Sequence, residues 1–514
     1  MLLYQSDLRL LAIAVVLLVL GLYIRHRRRC TLPFPPGPKA LPIIGNLRDL
    51  PQDNDIQTYY RWAKQYGDIF YIEVLGRHMV FLNTAKSTQD LFEKRSSNYS
   101  DRNHLHMIND LMGWDWSFGM MPFGERWKQH RKLFDRQFRA SNVSTFWPIQ
   151  EDRTRDLLVR LLHSPENVIE HLRHVAASTI MKIIYGIDVS PQDDHYITVA
   201  EQALAAMAKA AAPGAFLVDF LPIQVKMIPE WFPGADFKRK AAKWKETTYR
   251  MRDAPVEHVM RAMSQGKVSP CFMSELLTSV QTKELPESDV ETIKNSAGLA
   301  YAAGAESMVS SLSCFFLAMV LYPEVQRRAQ EELDRVCGER FPTFADRASL
   351  PYIEAICLET LRWNPVAPLG LPHMATQDDE YNGYLIPAGT TVVGNTWAIL
   401  HDPDTYPEPM KFSPERFLQS NSDSGLNPDP AIGAFGYGRR ICPGRFMANN
   451  SLFIIIASVL VAFDIGPGVD GSGIPTPTTA VFTNGMISHP APFKFAIKPR
   501  SSEAIALITQ ATDQ

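Results

Sequence analysis

The sequence predicts a mainly α-helical protein with a small β region, folded as one large domain behind an N-terminal transmembrane helix. Three observations carry this expectation. An apolar run from Leu10 to Ile24 holds no charge and stops at the basic cluster Arg25 to Arg29. The long middle of the chain keeps helical periodicity, and beyond Arg362 the pattern shifts to short strand-like segments. No Ser/Gly-rich or charge-rich linker and no internal repeat divides the 514 residues, although length alone, at about 150 residues per domain, suggests about three domains.

The first element is the anchor, residues 2–24. Leu10 to Ile24 covers only ~22 Å as a helix, short of a hydrocarbon core of about 30 Å. Extending the helix back to Leu2 closes the gap and takes in Asp7 and Arg9. An arginine costs roughly 2.5–3.5 kcal/mol at the bilayer centre but far less near a helix end, where it snorkels. The basic cluster follows the apolar run and no small-residue cleavage site appears, which favours an anchor over a cleaved signal peptide. Positive-inside logic then puts residue 25 onward in the cytosol. Residues 25–42 form a basic and proline-rich hinge whose Pro33-Phe34-Pro35-Pro36-Gly37-Pro38 run excludes helix and favours a stiff extended spacer.

A hairpin follows, Phe70 to Val74 and Met79 to Leu82 flanking Gly76-Arg77. If Glu125 to Phe138 is helical, Trp127 and Arg131 share a face. Ala297, Gly298, Ala300, Ala302, Ala303, Gly304 and Ala305 make a helix poor in bulk that runs into Glu306-Ser307 and lets another surface approach closely. Pro323 and Gly338 bracket a helix with Val325, Ala329, Leu333 and Val336 as its stripe. On the next helix Glu359 and Arg362 stand three apart and can pair. Tyr384 to Val393 reads as strands around a Pro387-Ala388-Gly389 turn, and the tail 501–514 is expected to fray.

With 46% hydrophobic residues and a formal net charge of -3, the chain can bury a large core and shows no global attraction to nucleic acid. Its six cysteines have neither disulfide nor zinc spacing, so Cys30, Cys271, Cys314, Cys337 and Cys357 read as reduced. The sixth lies in Phe435-Gly436-Tyr437-Gly438-Arg439-Arg440-Ile441-Cys442-Pro443-Gly444. A lone cysteine among glycines and arginines suits a metal-bound thiolate: glycines let backbone N–H groups approach the sulfur, and Arg439 and Arg440 favour its charge.

The spacing Phe-x-x-Gly-x-Arg-x-Cys-x-Gly resembles the haem-thiolate loop of the cytochrome P-450 family. The order of Glu359-Thr360-Leu361-Arg362, Pro414-Glu415-Arg416-Phe417 and the cysteine loop resembles the family as well. The resemblance covers nearly the whole chain. It implies a mainly helical haem-thiolate monooxygenase domain over residues 43–500, with one non-covalent haem b (iron protoporphyrin IX). Cys442 would be the axial ligand of the haem iron, and a thiolate there favours O–O cleavage. Phe435, Gly438, Arg440 and Gly444 belong to the cofactor site, with Arg440 meeting a propionate. Trp127 and Arg131 resemble the family's propionate-holding Trp-x-x-x-Arg, and His373 falls where relatives place another partner, although Met374 follows where arginine is frequent. Glu359, Arg362 and Arg416 correspond to a buried structural charge network. Ala303 to Ser307 resembles the oxygen-activation motif, in which Glu306 and Ser307 relay protons; Ser307 stands where most relatives carry threonine, so the hydroxyl is kept and the stiffening methyl lost.

The implied reaction inserts one oxygen atom of O2 into an organic substrate and reduces the other to water with electrons from NADPH. Those electrons come through a membrane-bound NADPH-cytochrome P-450 reductase, for which Lys128, Arg131, Lys132, Arg439 and Arg445 offer a basic face, the alternative being that several of them turn inward to haem. The location implied is the endoplasmic reticulum membrane, single-pass, with the domain in the cytosol. Phe435 to Arg440, Trp397 to Pro403 and Ser488 to Phe493 resemble members from fungal, especially mushroom, secondary metabolism. The substrate expected is a lipophilic small molecule, a terpenoid first and a polyketide or aromatic alkaloid next. Two other readings are a haem-thiolate isomerase or dehydratase without reductase, and a non-enzymatic haem sensor.

Overall fold

The structure is a computed structural model that describes residues 32–510 apart from 52–54, 212–214, 220–226, 230, 419–426, 470 and 472. The anchor at 2–24, the basic half of the hinge with Cys30, and residues 511–514 lie outside the described residues.

The proline run is extended and is pinned to the fold. Tyr71 donates its N–H to the Pro36 carbonyl at 2.9 Å and Leu385 to the Pro33 carbonyl at 2.8 Å. Gly37 is required there, because a Cβ would sit 1.9 Å from the Tyr71 carbonyl oxygen. After α1 (Asp55–Tyr66) come β1 (Ile69–Val74) and β2 (Arg77–Leu82), antiparallel with Val74 opposite Arg77. The connecting turn is Leu75-Gly76, at φ +49° and +78°, one residue earlier than expected. Positive φ at both positions is the type I′ geometry that matches strand twist.

The helices dominate. In chain order the longer ones are α2 (Glu125–Phe138), α3 (Trp147–His163), α4 (Val168–Tyr185), α5 (His195–Ala211), α6 (Asp236–Ser264), α7 (Phe272–Gln281), α8 (Asp289–Leu321), α9 (Pro323–Cys337) and α10 (Pro351–Trp363). As expected, α9 starts on Pro323 and stops before Gly338, at φ +59°. Its buried stripe is Val325, Ala329, Leu333 and Cys337; Val336 is only partly buried. Four short strands follow, β3 (His373–Met374), β4 (Asp379–Tyr381), β5 (Tyr384–Ile386) and β6 (Thr391–Gly394), and the main sheet has the order β1-β2-β6-β3.

α11 (Arg445–Ala462) leads into the hairpin β7 (Phe463–Pro467) and β8 (Phe495–Pro499). Both α8 and α11 are long and apolar enough to cross a membrane, yet both are mostly buried inside the domain. A helix apolar on all sides is a core helix when other helices surround it, and α8 packs against α2, α4, α6, α7, α10 and α11. Within the tail expected to fray, Ser502–Gln510 is instead a helix, α12, whose Ile508 is buried against the core. The apolar side chains of Ala504 and Ile508 give it a face to bury, which a polar tail lacks.

Candidate haem-thiolate site

Cys442 lies between a tight 3-10 turn at Gly438–Arg440 and the first residue of α11. Its N–H donates to the Phe435 carbonyl at 2.7 Å, which closes the loop. Gly436 and Gly438 have φ of +77° and +54°. A Cβ on Gly438 would lie 2.1 Å from the Phe92 carbonyl oxygen, so no other residue fits against that backbone. Burial pushes the Cys442 thiol up, while the backbone N–H of Gly444, the charges of Arg131 and Arg445, and the Arg445 N–H oppose that rise. These donors open α11, so the sulfur faces a helix N-terminus, a setting that stabilises a thiolate.

The two arginines expected to hold the thiolate do other work. Arg439 is exposed, over the Phe123 ring at 5.3 Å. Arg440 turns into the protein, donating to the carbonyls of Ser100 at 2.7 Å, Phe118 at 3.4 Å and Met121 at 2.8 Å. The 3-10 turn before Cys442 points both away from the sulfur. Instead Arg131, from α2, donates to the Ile441 carbonyl at 2.6 Å and pairs with Asp135 at 2.8 Å, and Arg445 donates to the Cys442 carbonyl at 3.0 Å. The proposed basic face therefore divides: Lys128, Lys132 and Arg439 are exposed, whereas Arg131 and Arg445 brace the cysteine loop.

A second group of cations gathers where propionates were expected. Arg440 stacks on Trp127 at 4.5 Å. Arg102, which sequence reasoning missed, is 7% exposed and donates to the carbonyls of Leu371 and Pro372. Burial and the neighbouring Arg440 charge push the Arg102 guanidinium down to about 9. Burial pushes Arg440 down to about 10. His373 is buried, donates its Nδ1–H to the Tyr99 carbonyl at 2.6 Å, and is held well below its usual pKa by burial and both arginines. The two buried guanidiniums are bonded to carbonyls and share the charge of the Asp101 carboxylate, which leaves one positive charge uncompensated and costs free energy unless a further anion is supplied. Haem fits this donor set: its carboxylates would supply the anion, and Cys442 would supply the soft ligand.

On α8 the small residues split between two roles. A Cβ on Gly298 would lie 3.0 Å from Trp116 and Arg252, and one on Gly304 2.8 Å from Ile180, so these glycines serve helix packing. Ala303 to Ser307 is the accessible stretch, between buried Tyr301-Ala302 and buried Met308 to Met319. Glu306 pairs with His489 at 3.1 Å, and that histidine holds its carboxyl below the usual range. Ser307 donates to the Ala303 carbonyl at 2.8 Å.

Glu359, Arg362 and Arg416 form one buried cluster. Arg362 makes a bidentate pair with Glu359 at 2.7 and 2.9 Å, and Arg416 adds a third bond at 3.1 Å. The remaining capacity is met by carbonyls of Leu400 and Lys411 and by the Ser413 N–H. Outside this region, His104, His106 and Asp110 come together with His–Asp distances of 2.7 and 2.8 Å. The described cysteines other than Cys442 are free and buried.

Comparison with known proteins identifies the family. The family model for cytochrome P-450 matches residues 35–496. A cytochrome P-450 monooxygenase of Armillaria gallica is 45% identical, covering 97% of this chain and 99% of its own length. Cytochrome P-450 monooxygenase 208 of Postia placenta is 42% identical over 96% of each chain, and monooxygenase ple1 of Rhodocybe pseudopiperita is 41% identical over 92% and 91%. The chain belongs to the cytochrome P-450 family, and it is a haem-dependent oxidoreductase of the monooxygenase class.

Proposed function

We propose that this monooxygenase inserts one oxygen atom from O2 into a lipophilic intermediate of fungal secondary metabolism, hydroxylating an unactivated C–H bond of a terpenoid. A polyketide or aromatic alkaloid is the next choice. Electrons come from NADPH through a reductase that docks on Lys128, Lys132 and Arg439. Residues 2–24 anchor the chain in the endoplasmic reticulum membrane, with the domain in the cytosol. The observation that carries the chemistry is the Cys442 sulfur at the N-terminus of α11, in a loop that only Gly438 can close against Phe92.

Haem b, when bound, supplies oxygen activation and the electron push of its thiolate ligand. The chain's own residues position and protect it. The N–H groups of Gly444 and Arg445, with the charges of Arg131 and Arg445, stabilise sulfur in its anionic form. Arg440, Arg102 and neutral His373 would hold the propionates, and Trp127 covers Arg440. Phe435 holds the loop through its carbonyl. Glu359, Arg362 and Arg416 keep the 400–413 segment in place behind the loop. Glu306 and Ser307 move protons to the reacting oxygen.

Substrate preference follows from apolar stretches that correspond by family position to the distal pocket: 105–121, 210–218, 366–371 and 481–487. Residues 212–214 lie outside the described residues. Met107, Ile108, Met112, Trp114, Trp116, Phe118 and Met121 are buried, so the first stretch offers shape with few charges. The test is a panel of terpenoids, polyketides and indoles scored by the high-spin shift of the haem band, then by product with reductase and NADPH. A response confined to charged indole amines contradicts the terpenoid reading; product formed without NADPH contradicts the monooxygenase cycle.

A further inference from the structure

Glu306 is gripped from outside its helix. Its Oε1 lies 3.1 Å from His489 Nε2, with both side chains only partly exposed. His489 sits in a turn over residues 481–491. The Ala491 N–H donates to the Val481 carbonyl at 2.7 Å, the Thr483 N–H to the His489 carbonyl at 2.7 Å, and the His489 N–H to the Thr483 hydroxyl at 2.9 Å.

This turn is fastened at its centre. The Ser310 hydroxyl of α8 donates to the Ser488 carbonyl. The Ser488 N–H donates to the Val366 carbonyl at 2.9 Å, and its hydroxyl to Asn364 Oδ1 at 3.1 Å. The turn is therefore tied to α8 one helical turn beyond Glu306 and to the segment that follows α10. The stretch assigned to substrate contact, 481–487, and the histidine that holds the acid are one rigid piece of backbone.

The other charge acting on Glu306 is Arg173 of α4, which itself faces Glu201 at 3.9 Å. Ser307 does not engage Glu306; its hydroxyl donates back to the carbonyls of Ala303 and Gly304. A carboxylate committed to His489 is not presented to Ser307 at the same time.

We propose that His489 is a positioning residue that clamps Glu306, so that the 481–491 turn, through this clamp, sets the orientation of the proton-delivering carboxylate. This rests on the reading of Glu306 as the relay acid and names how that acid is regulated. A charge-assisted bond to a partly exposed imidazole is strong enough to orient a side chain and weak enough to open during turnover. The substrate-contacting surface and the proton path then share one mechanical element, which would let occupancy of the first influence the second.

The test uses the full-length holoenzyme with reductase and three variants, His489→Ala, His489→Gln and Glu306→Gln. The infrared stretch of CO on the reduced protein reports distal hydrogen bonding without turnover, and peroxide released per NADPH oxidised reports misdirected proton delivery. His489→Ala should shift the CO stretch away from the parent value and release severalfold more peroxide, and His489→Gln, a neutral donor of similar reach, should bring both readouts back toward the parent. If His489→Ala matches the parent in both readouts while Glu306→Gln is impaired, the clamp is overturned and the relay reading stands. If Glu306→Gln itself behaves like the parent, the relay reading fails and the clamp fails with it.

Discussion

The two sides of the site are held in opposite ways. Behind Cys442, every charged side chain is committed: Glu359 and Arg362 are fully buried and saturated by one another, by Arg416 and by backbone groups, and Gly438 touches the Phe92 backbone with no room to spare. On α8, Glu306 bonds a partly exposed histidine and feels the more distant Arg173 charge, and Ser307 bonds back to its own helix. The thiolate side is over-determined, as suits a ligand whose geometry must not drift, and the α8 side can rearrange. Substitutions behind the cysteine should therefore cost fold and haem, and those at Glu306 and Ser307 should cost chemistry alone.

The largest break of that comparison is Glu359→Ala. It strands Arg362 and Arg416 as unpaired buried charges, a loss of about 3–5 kcal/mol. Poorly folded protein with little haem is expected, measured as haem per polypeptide and as the urea midpoint. Next comes Gly438→Ala, where a left-handed backbone alone costs about 1–3 kcal/mol and the methyl also overlaps the Phe92 carbonyl. Haem retention should fall while the far-ultraviolet helical signal persists.

What could be read in advance follows the same division. The cysteine loop, the Glu359–Arg362 pair and the helices at Glu125–Phe138 and from Pro323 were legible, because each depends on local spacing or on Pro and Gly at helix ends. Arg102 and His489 were not. Each reaches its partner from a distant stretch of chain with no periodicity to mark it. Arg439 and Arg440 misled because they neighbour Cys442 in sequence; the 3-10 turn directs them away, and Arg131 arrives from a separate helix. The hairpin turn slipped by one residue because Leu75 takes a positive φ that leucine seldom adopts.

A pH effect sharpens the picture behind the loop. His401 is fully buried beside Trp397 and held well below its usual pKa, first by burial and then by the Arg362 charge. The unfolded chain takes up a proton below about pH 6.5 that the folded protein refuses, so this stability is complete above that pH and falls by about 1.4 kcal/mol for each unit below it. Urea midpoints at pH 7.5 and 5.5 should differ accordingly, and His401→Asn should flatten the slope.

The smallest effect on the fold is expected at Ser307→Ala. The hydroxyl's partners are carbonyls of its own helix, so haem content and thermal midpoint should match the parent. Product per NADPH should drop severalfold, with the missing electrons recovered as peroxide or water, because the hydroxyl's role is proton delivery. A loss of fold here would erase the contrast between the two sides.

The central claim is that Cys442 is the ligand, and the reduced-CO spectrum tests it most directly. The parent should show the strongly red-shifted Soret band of a thiolate-bound haem. Cys442→Ala should lack that band even where haem remains associated. A red-shifted band retained in Cys442→Ala would contradict the account.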